Sequence, residues 1–353
     1  MVNSLCQPDR SILKLEYKST QPTRRREQQN TAGFHGCCLG APRRRALRAR
    51  AGRAALKGRS GAARRANWPI LPGSPAQPSG TVATMPRPIS GNQLNKLGKR
   101  LADEGPISDE DYELLGQVAE FYQAVTDTVQ ERLRNLGFEP TTRGFKSTGT
   151  LIDKLRRTGI SLKDIQDLGG ARIVIDGRRL DQDHAVERIM EAFANCPKAP
   201  VKIDRREQPS YGYRAVHVIV FEDHTPMEIQ IRTKLQDTWA QISEKLGDMW
   251  GRGHRYGDSP DQPDAPAFPG SSSTRSALIG QLLIISDTID RLETSETTLS
   301  EFREQMLELD VASRGDTLEQ VDRVAGEVAT AKAELQDALD RLLGGIRREG
   351  GAS

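Results

Sequence analysis

Met227-Glu228-Ile229-Gln230-Ile231-Arg232-Thr233 alternates apolar and polar residues without a break from Met227 to Arg232. A period of two is the pattern of a half-buried β-strand, because successive side chains point to opposite faces. Met227, Ile229 and Ile231 are therefore expected in a core, while Glu228, Gln230 and Arg232 project together from the other face. A carboxylate, an amide and a guanidinium on one face are equipped to hold a metal, orient a nucleophile and grip a phosphate. The same trio also suits a solvated sheet face with an incidental ion pair, and this strand alone favours that plainer reading.

Outward from this strand, Arg214 to Phe221 reads as a second strand, joined to the first by the hairpin-length Glu222-Asp223-His224-Thr225. Ala171 to Ile175 is a short apolar strand ended by Asp176-Gly177. A long helix is expected over 108–136, where Ser108 precedes three acids. In it Leu114, Val118, Phe121, Tyr122, Val125, Val129 and Leu133 recur at helical spacing before Gly137. Helices over about 148–157, 181–194 and 234–250 complete the body. The fold class is α/β (α+β), a mixed β-sheet flanked by helices.

Residues 257–273 are rich in Pro, Gly, Ser and Asp and read as a linker between a body over 85–256 and a helical region over 274–349. In that region Leu278, Leu282, Ile285, Ile289 and Leu292 form a heptad seam. A second run, Leu318, Val321, Ala325, Val328, Lys332, Leu335, Leu339, Leu342 and Ile346, repeats it with Lys332 as its polar break. Such seams suit a hairpin packed on the body or a coiled coil between copies; a homo-oligomer through these helices is the expectation.

The chain of 353 residues has a net charge of +3 that hides an asymmetry. Residues 1–84 carry 16 basic and 3 acidic side chains, so the remainder carries 35 basic and 45 acidic ones. The acidic remainder excludes a generic DNA binder; a nucleic-acid partner would need a local basic site. Residues 1–84 show no periodicity and read as a disordered basic tail, a transit peptide, or upstream sequence with Met85 as the true start. Of four cysteines only Cys196 lies in the body, and no Cys/His metal spacing occurs. A reducing, cytoplasmic compartment is expected, with no membrane span.

Three further segments carry chemistry. In Arg143-Gly-Phe-Lys146-Ser-Thr-Gly-Thr150-Leu-Ile-Asp-Lys154, Lys146 precedes a helix, Thr150 lies in its first turn and Lys154 one turn on. A helix N-terminus with hydroxyls and flanking lysines is a polyphosphate cradle. In Asp167-Leu-Gly-Gly-Ala-Arg172 the glycines permit close ligand approach, and Asp167 stands at a strand entrance as a Mg²⁺ ligand or an Asx turn. In Tyr211-Gly-Tyr213-Arg214-Ala-Val-His217, strand alternation places Tyr213 and His217 on one face, where an aromatic ring beside a glycine suits a stacked base.

These segments, in this order and spacing, resemble the RelA/SpoT (p)ppGpp synthetase family over about residues 108–250, its small, synthetase-only alarmone synthetases above all. The Glu228-Ile-Gln-Ile-Arg-Thr233 run is intact, with Trp239-Ala240 correctly placed. The resemblance implies a nucleotidyltransferase-like synthetase domain and a Mg²⁺-dependent GTP pyrophosphokinase of the stringent response, transferring pyrophosphate from ATP to GDP or GTP. It assigns ATP binding to Lys146, Thr150, Lys154, Arg172 and Arg143, with adenine stacked on Arg172. It makes Asp167 and Glu228 the Mg²⁺ ligands and catalytic pair, and gives the acceptor nucleotide to Tyr213, His217, Arg232 and Gln230.

The chain departs from the family pattern in places. The Arg of an Arg-x-Lys element aligns with Gly144, beside Arg143, and Asp-Ile-Ala-Gly has become Asp167-Leu168-Gly169-Gly170. A Lys ahead of Gly-Tyr aligns with Pro209, near Arg205 and Arg206, and a Glu beyond the Trp aligns with Ser243, beside Glu244. Most changes fall on the acceptor side. A tRNA 3′-end pyrophosphokinase toxin of the same fold is therefore one alternative, and a non-catalytic nucleotide-sensing scaffold another. The hydrolase chemistry of long family members is not expected, since no His-Asp dipeptide occurs among the five histidines.

Overall fold

A computed structural model describes residues 87–308 and 311–350. The basic segment 1–84 lies outside the described residues, so each reading of it does too. The sheet has five strands: β1 (Thr141–Arg143), β2 (Gly170–Ile175), β3 (Val201–Asp204), β4 (Val216–Glu222) and β5 (Thr225–Thr233). Their order is β1-β2-β5-β4-β3, with β2 and β5 parallel and the other pairs antiparallel.

The alternation of β5 is realised as expected. Met227, Ile229 and Ile231 are fully buried and meet Val216, Val218 and Val220 across the β4 ladder. Helix α2 (Asp109–Asn135) adds Val118, Phe121, Tyr122, Val125 and Val129 to this core. Ser108 caps α2 by accepting the Asp111 N–H at 3.2 Å, and Gly137 follows its end at φ 79°. Helix α4 (Arg179–Ala192) contributes Ala185, Val186 and Ile189. The β4–β5 hairpin turns on Asp223 and His224, both at positive φ (45° and 59°), the combination that suits a two-residue turn with right-handed strand twist.

One helix, two strands and two 3-10 turns were not drawn from the sequence: α1 (Gly91–Ala102), β1, β3, and the turns Leu162–Asp164 and Arg252–Tyr256. Helix α1 buries Leu94, Leu97 and Leu101, and its Arg100 forms a two-pronged pair with Asp111 of α2. Helix α3 (Thr148–Thr158) ends at Gly159, in the left-handed region.

The C-terminal helices show what covers the first heptad seam. Helix α5 (Lys234–Trp250) packs with α6 (Arg275–Leu307) and α7 (Val311–Gly350) in a second core of Trp239, Leu246, Trp250, Leu282, Ile289, Leu339, Leu343 and Ile346. Leu282 and Ile289, the heart of the first heptad seam, are 3% and 1% exposed. That seam is thus covered within the chain, and Lys332, the polar break of the second run, pairs with Glu296 of α6. Two copies cannot share that seam without undocking it at the loss of several buried side chains, about 1.5–3 kcal/mol each. Residues 257–273 are not a free spacer either: Ala267 is buried and Phe268 lies 5.6 Å from Trp250. No helix among the described residues is long and apolar enough to cross a membrane.

Candidate nucleotide site

The parallel pairing of β2 with β5 sets Gly170 opposite Glu228 and Arg172 opposite Gln230. All four, with Arg143, Lys146, Thr150, Lys154 and Asp167, line one cavity of about 1190 Å³. Glycines let the two strands close on it. A Cβ on Gly170 would lie 2.6 Å from the Glu228 carbonyl oxygen, and one on Gly169 would lie 2.8 Å from Thr126 Oγ1.

Asp167 is held between two ammonium groups. Lys146 Nζ lies 2.5 Å from its Oδ2 and Lys154 Nζ 2.6 Å from its Oδ1. The backbone fixes the first contact, since the Lys146 N–H donates to the Leu168 carbonyl at 2.8 Å. Burial pushes the Asp167 carboxyl up, but the charges and hydrogen bonds of the lysines outweigh it and hold it at about 2. The same burial pushes the Lys146 ammonium down, so the clamp balances charge that water would otherwise solvate. Thr150 receives a hydrogen bond from Ser147 Oγ at 2.9 Å, and Arg143 donates to the Asp167 carbonyl at 3.4 Å.

Glu228 belongs to a closed circuit of five side chains. Gln230 Nε2 donates to its Oε2 at 2.8 Å, and Arg232 Nη2 donates to Gln230 Oε1 at 2.8 Å. Arg232 also donates to the Tyr213 hydroxyl at 3.1 Å, and Tyr213 meets His217 Nε2 at 2.8 Å. His217 Nδ1 returns to Glu228 Oε1 at 2.9 Å. The directions settle the roles: Arg232 has only protons to give, so the Tyr213 hydroxyl is free to donate to Nε2 and His217 then donates from Nδ1. Burial pushes the Glu228 carboxyl up, but the hydrogen bonds from His217 and Gln230 bring it below its ordinary value.

Tyr213, His217 and Arg232 do not line the cavity; they stand behind Glu228 and Gln230. Arg232 is 1% exposed, lies with its guanidinium 5.1 Å from the Tyr213 ring centre and reaches Asp237 at 3.0 Å. Arg172 does line the cavity, tethered at 3.6 Å to both Asp237 and Glu244. Glu244 also lies 3.7 Å from Arg232, so the residue beside the displaced family glutamate faces the site while Ser243 turns inward to His254. Asp237 was not singled out from the sequence. Its signal was the helical spacing of Asp237, Glu244 and Asp248, one stripe of α5. Arg206 is turned away from the cavity and bound by Asp204 and Asp183.

Among the described residues no group of three or more His, Cys, Asp or Glu side chains forms a self-sufficient metal cage. Asp167 and Glu228 line the same cavity, and the Asp167 charge pushes the Glu228 carboxyl up. Two hard, mutually repelling carboxylates beside lysines are a donor set that fits Mg²⁺ arriving with a polyphosphate, since Mg²⁺ keeps water and phosphate oxygens in its shell.

Residues 143–247 match the region found in RelA/SpoT proteins. An uncharacterized protein of Mycobacterium tuberculosis (strain ATCC 25618 / H37Rv), Rv1366, is 36% identical over 186 residues, 52% of this chain and 67% of that protein. The GTP pyrophosphokinase YjbM of Bacillus subtilis (strain 168) is 30% identical over 112 residues, 29% of this chain and 52% of that protein. The crystal structure of small alarmone synthetase 1 from Bacillus subtilis aligns with a TM-score of 0.40 at 22% identity, over 57% of this chain and 100% of that one.

Proposed function

This chain belongs to the RelA/SpoT family, and from that premise we propose that it transfers pyrophosphate from ATP to the 3′-hydroxyl of GDP or GTP, releasing AMP. The observation that carries the reading is the placement of Glu228 in its hydrogen-bonded circuit beside the Lys146–Asp167–Lys154 clamp in one cavity.

Lys146, Thr150 and Lys154 hold the donor phosphates, and Arg143 and Arg172 flank its base. Glu228 takes the proton of the acceptor hydroxyl as that oxygen bonds to the β-phosphorus, and the bond from the β-phosphorus to the α-bridging oxygen breaks. His217 and Gln230 restrain both oxygens of Glu228, so its remaining lone pairs face the cavity. Its low carboxyl value keeps it ionised, and so ready to accept, at neutral pH. Asp167 and Glu228 would hold Mg²⁺, which when bound supplies positive charge to the phosphate oxygens. A polyphosphate entering the site gives Lys146 and Lys154 new anionic partners.

A tRNA 3′ end is the second reading of the acceptor, favoured by Tyr213, His217 and Arg232 standing outside the cavity lining, where a small guanine nucleotide would need them. The scaffold reading is disfavoured, because a binder has no need of two ionised carboxylates facing a polyanion. Incubating the protein with γ-labelled ATP, Mg²⁺ and GDP, GTP or tRNA separates the readings: label moves to a guanine nucleotide under the first, to tRNA under the second, and nowhere under the third.

A further inference from the structure

The cavity extends past the family-matched region. Thr150, Lys154 and Arg157 stand at i, i+4 and i+7 on one face of α3, and all three line it. At the far end stands a short 3-10 turn, Arg252–Tyr256, which contributes Arg252, Arg255 and Tyr256. The turn is pinned in place. His254 is buried, its Nδ1–H donating to the Gly251 carbonyl at 3.2 Å and its Nε2 accepting from the Ser243 hydroxyl at 3.4 Å. Gly257, at φ 96°, lets the Tyr211 ring pack where a Cβ would come within 2.4 Å.

The Arg157 guanidinium lies 4.0 Å from the Tyr256 ring centre, yet Tyr256 is 42% exposed. Arg157 and Arg255 have no ion pair among the described residues, although Asp153 and Asp248 line the same cavity; Arg252 reaches Asp248 at 3.5 Å. Arg156 is occupied by the Ala102 and Asp103 carbonyls.

We propose that Tyr256, backed by Arg157, is a nucleobase-stacking seat for a purine nucleoside polyphosphate, and that Arg255 draws in its phosphates. A tyrosine ring with one face on a guanidinium and the other open to a cavity stacks a base without reading its edges. The seat is additional to Arg143 and Arg172, and it rests on the reading of this cavity as a nucleotide site.

Calorimetric titration of the full chain with ATP, GTP and base-free tripolyphosphate, each with Mg²⁺, tests it. Tyr256→Ala is expected to weaken at least one of the two nucleotides about tenfold or more and to leave tripolyphosphate within twofold. Tyr256→Phe keeps all three affinities, and Arg255→Ala weakens all three. Whichever of ATP and GTP responds identifies the occupant. Unchanged nucleotide affinity in Tyr256→Ala, or an equal loss for tripolyphosphate, overturns the seat. If Tyr256→Ala loses its helical circular-dichroism signal, Tyr256→Leu takes its place with the same expected pattern. Labelled-ATP transfer, measured separately, keeps the two ideas apart: transfer with unaltered Tyr256→Ala affinity removes the seat alone, and a base-specific affinity loss without any transfer removes the reaction alone.

Discussion

Asp167 and Glu293 are both carboxylates with restricted access to water, and the chain treats them in opposite ways. Asp167, at the cavity, has a lysine on each oxygen, and its carboxyl is held at about 2. Glu293, on α6, is 1% exposed and receives hydrogen bonds from Thr233 and from Gln236. There burial dominates and pushes the carboxyl up, with only longer-range help from Lys332 and Arg179. The same chemistry serves two ends. At the cavity, counter-ions keep negative charge available for a ligand to displace or share. Between α6 and the sheet, a carboxyl that gains from being neutral helps dock a helix, alongside Arg214, which binds Asp287 at 2.8 Å and Ser286 at 3.1 Å.

The comparison breaks first at Glu228. Glu228→Gln keeps the shape but removes the proton acceptor, and a loss of transfer of about 10³-fold or more is expected with nucleotide affinity largely kept. Near-normal AMP release by this variant contradicts the assignment. Asp167→Asn comes next, because it leaves Lys146 and Lys154 facing each other without an anion. Transfer should fall about 10²-fold. The wild-type contribution of Asp167 has a lowered folded value, so it is present above the unfolded value of about 4 and is lost as pH falls toward 2. It amounts to at most about 2.5 kcal/mol, less the cost of burying Lys146. Acid titration of unfolding should show this loss between about pH 4 and 2 in the wild type and a flatter curve in Asp167→Asn.

A smaller effect is expected at His217, which acts through Glu228. His217→Ala should lower kcat roughly tenfold with little change in the KM for ATP. Since His217 brings the Glu228 carboxyl down, its loss should move the acid limb of the kcat–pH profile to higher pH. An unmoved limb would show that His217 only packs there. The smallest effect belongs to the other side of the comparison. Glu293 has a raised folded value, so its contribution is full at acid pH and is lost as pH rises through that value. Glu293→Gln should raise the neutral-pH Tm slightly, flatten its pH dependence and leave transfer unchanged. A variant that unfolds cooperatively at a lower Tm would mean that the ionised form is the one that docks α6.

The cavity was more legible in the sequence than the rest because its chemistry sits on strongly patterned elements. The alternation of Met227 to Arg232 announced β5, and Thr150 and Lys154 announced the cavity face of α3. The circuit behind Glu228 was not legible, because it depends on His217 standing opposite Gln230 across two strands, and no local pattern encodes register between segments. β1 has only three residues, too few for a period, and β3 is an edge strand with Val201 exposed. The heptads of α6 and α7 were read correctly as apolar seams, but a seam does not name its partner. Here Trp239 decides it by donating its Nε1–H to the Leu282 carbonyl at 2.7 Å, which locks α6 onto α5 of the same chain. Tyr256 gave no signal, since it lies beyond the motifs in a short turn fixed by a buried histidine.

The central claim is that the clamped Asp167 and the restrained Glu228 serve pyrophosphate transfer. Its most direct measurement is the nucleotide balance after incubation of the wild-type chain with ATP, Mg²⁺ and GDP or GTP. The account predicts AMP and a guanine nucleotide bearing a 3′-pyrophosphate in equal amounts, with neither formed by Glu228→Gln. Release of ADP instead of AMP, or AMP with free pyrophosphate and no modified acceptor, would contradict it.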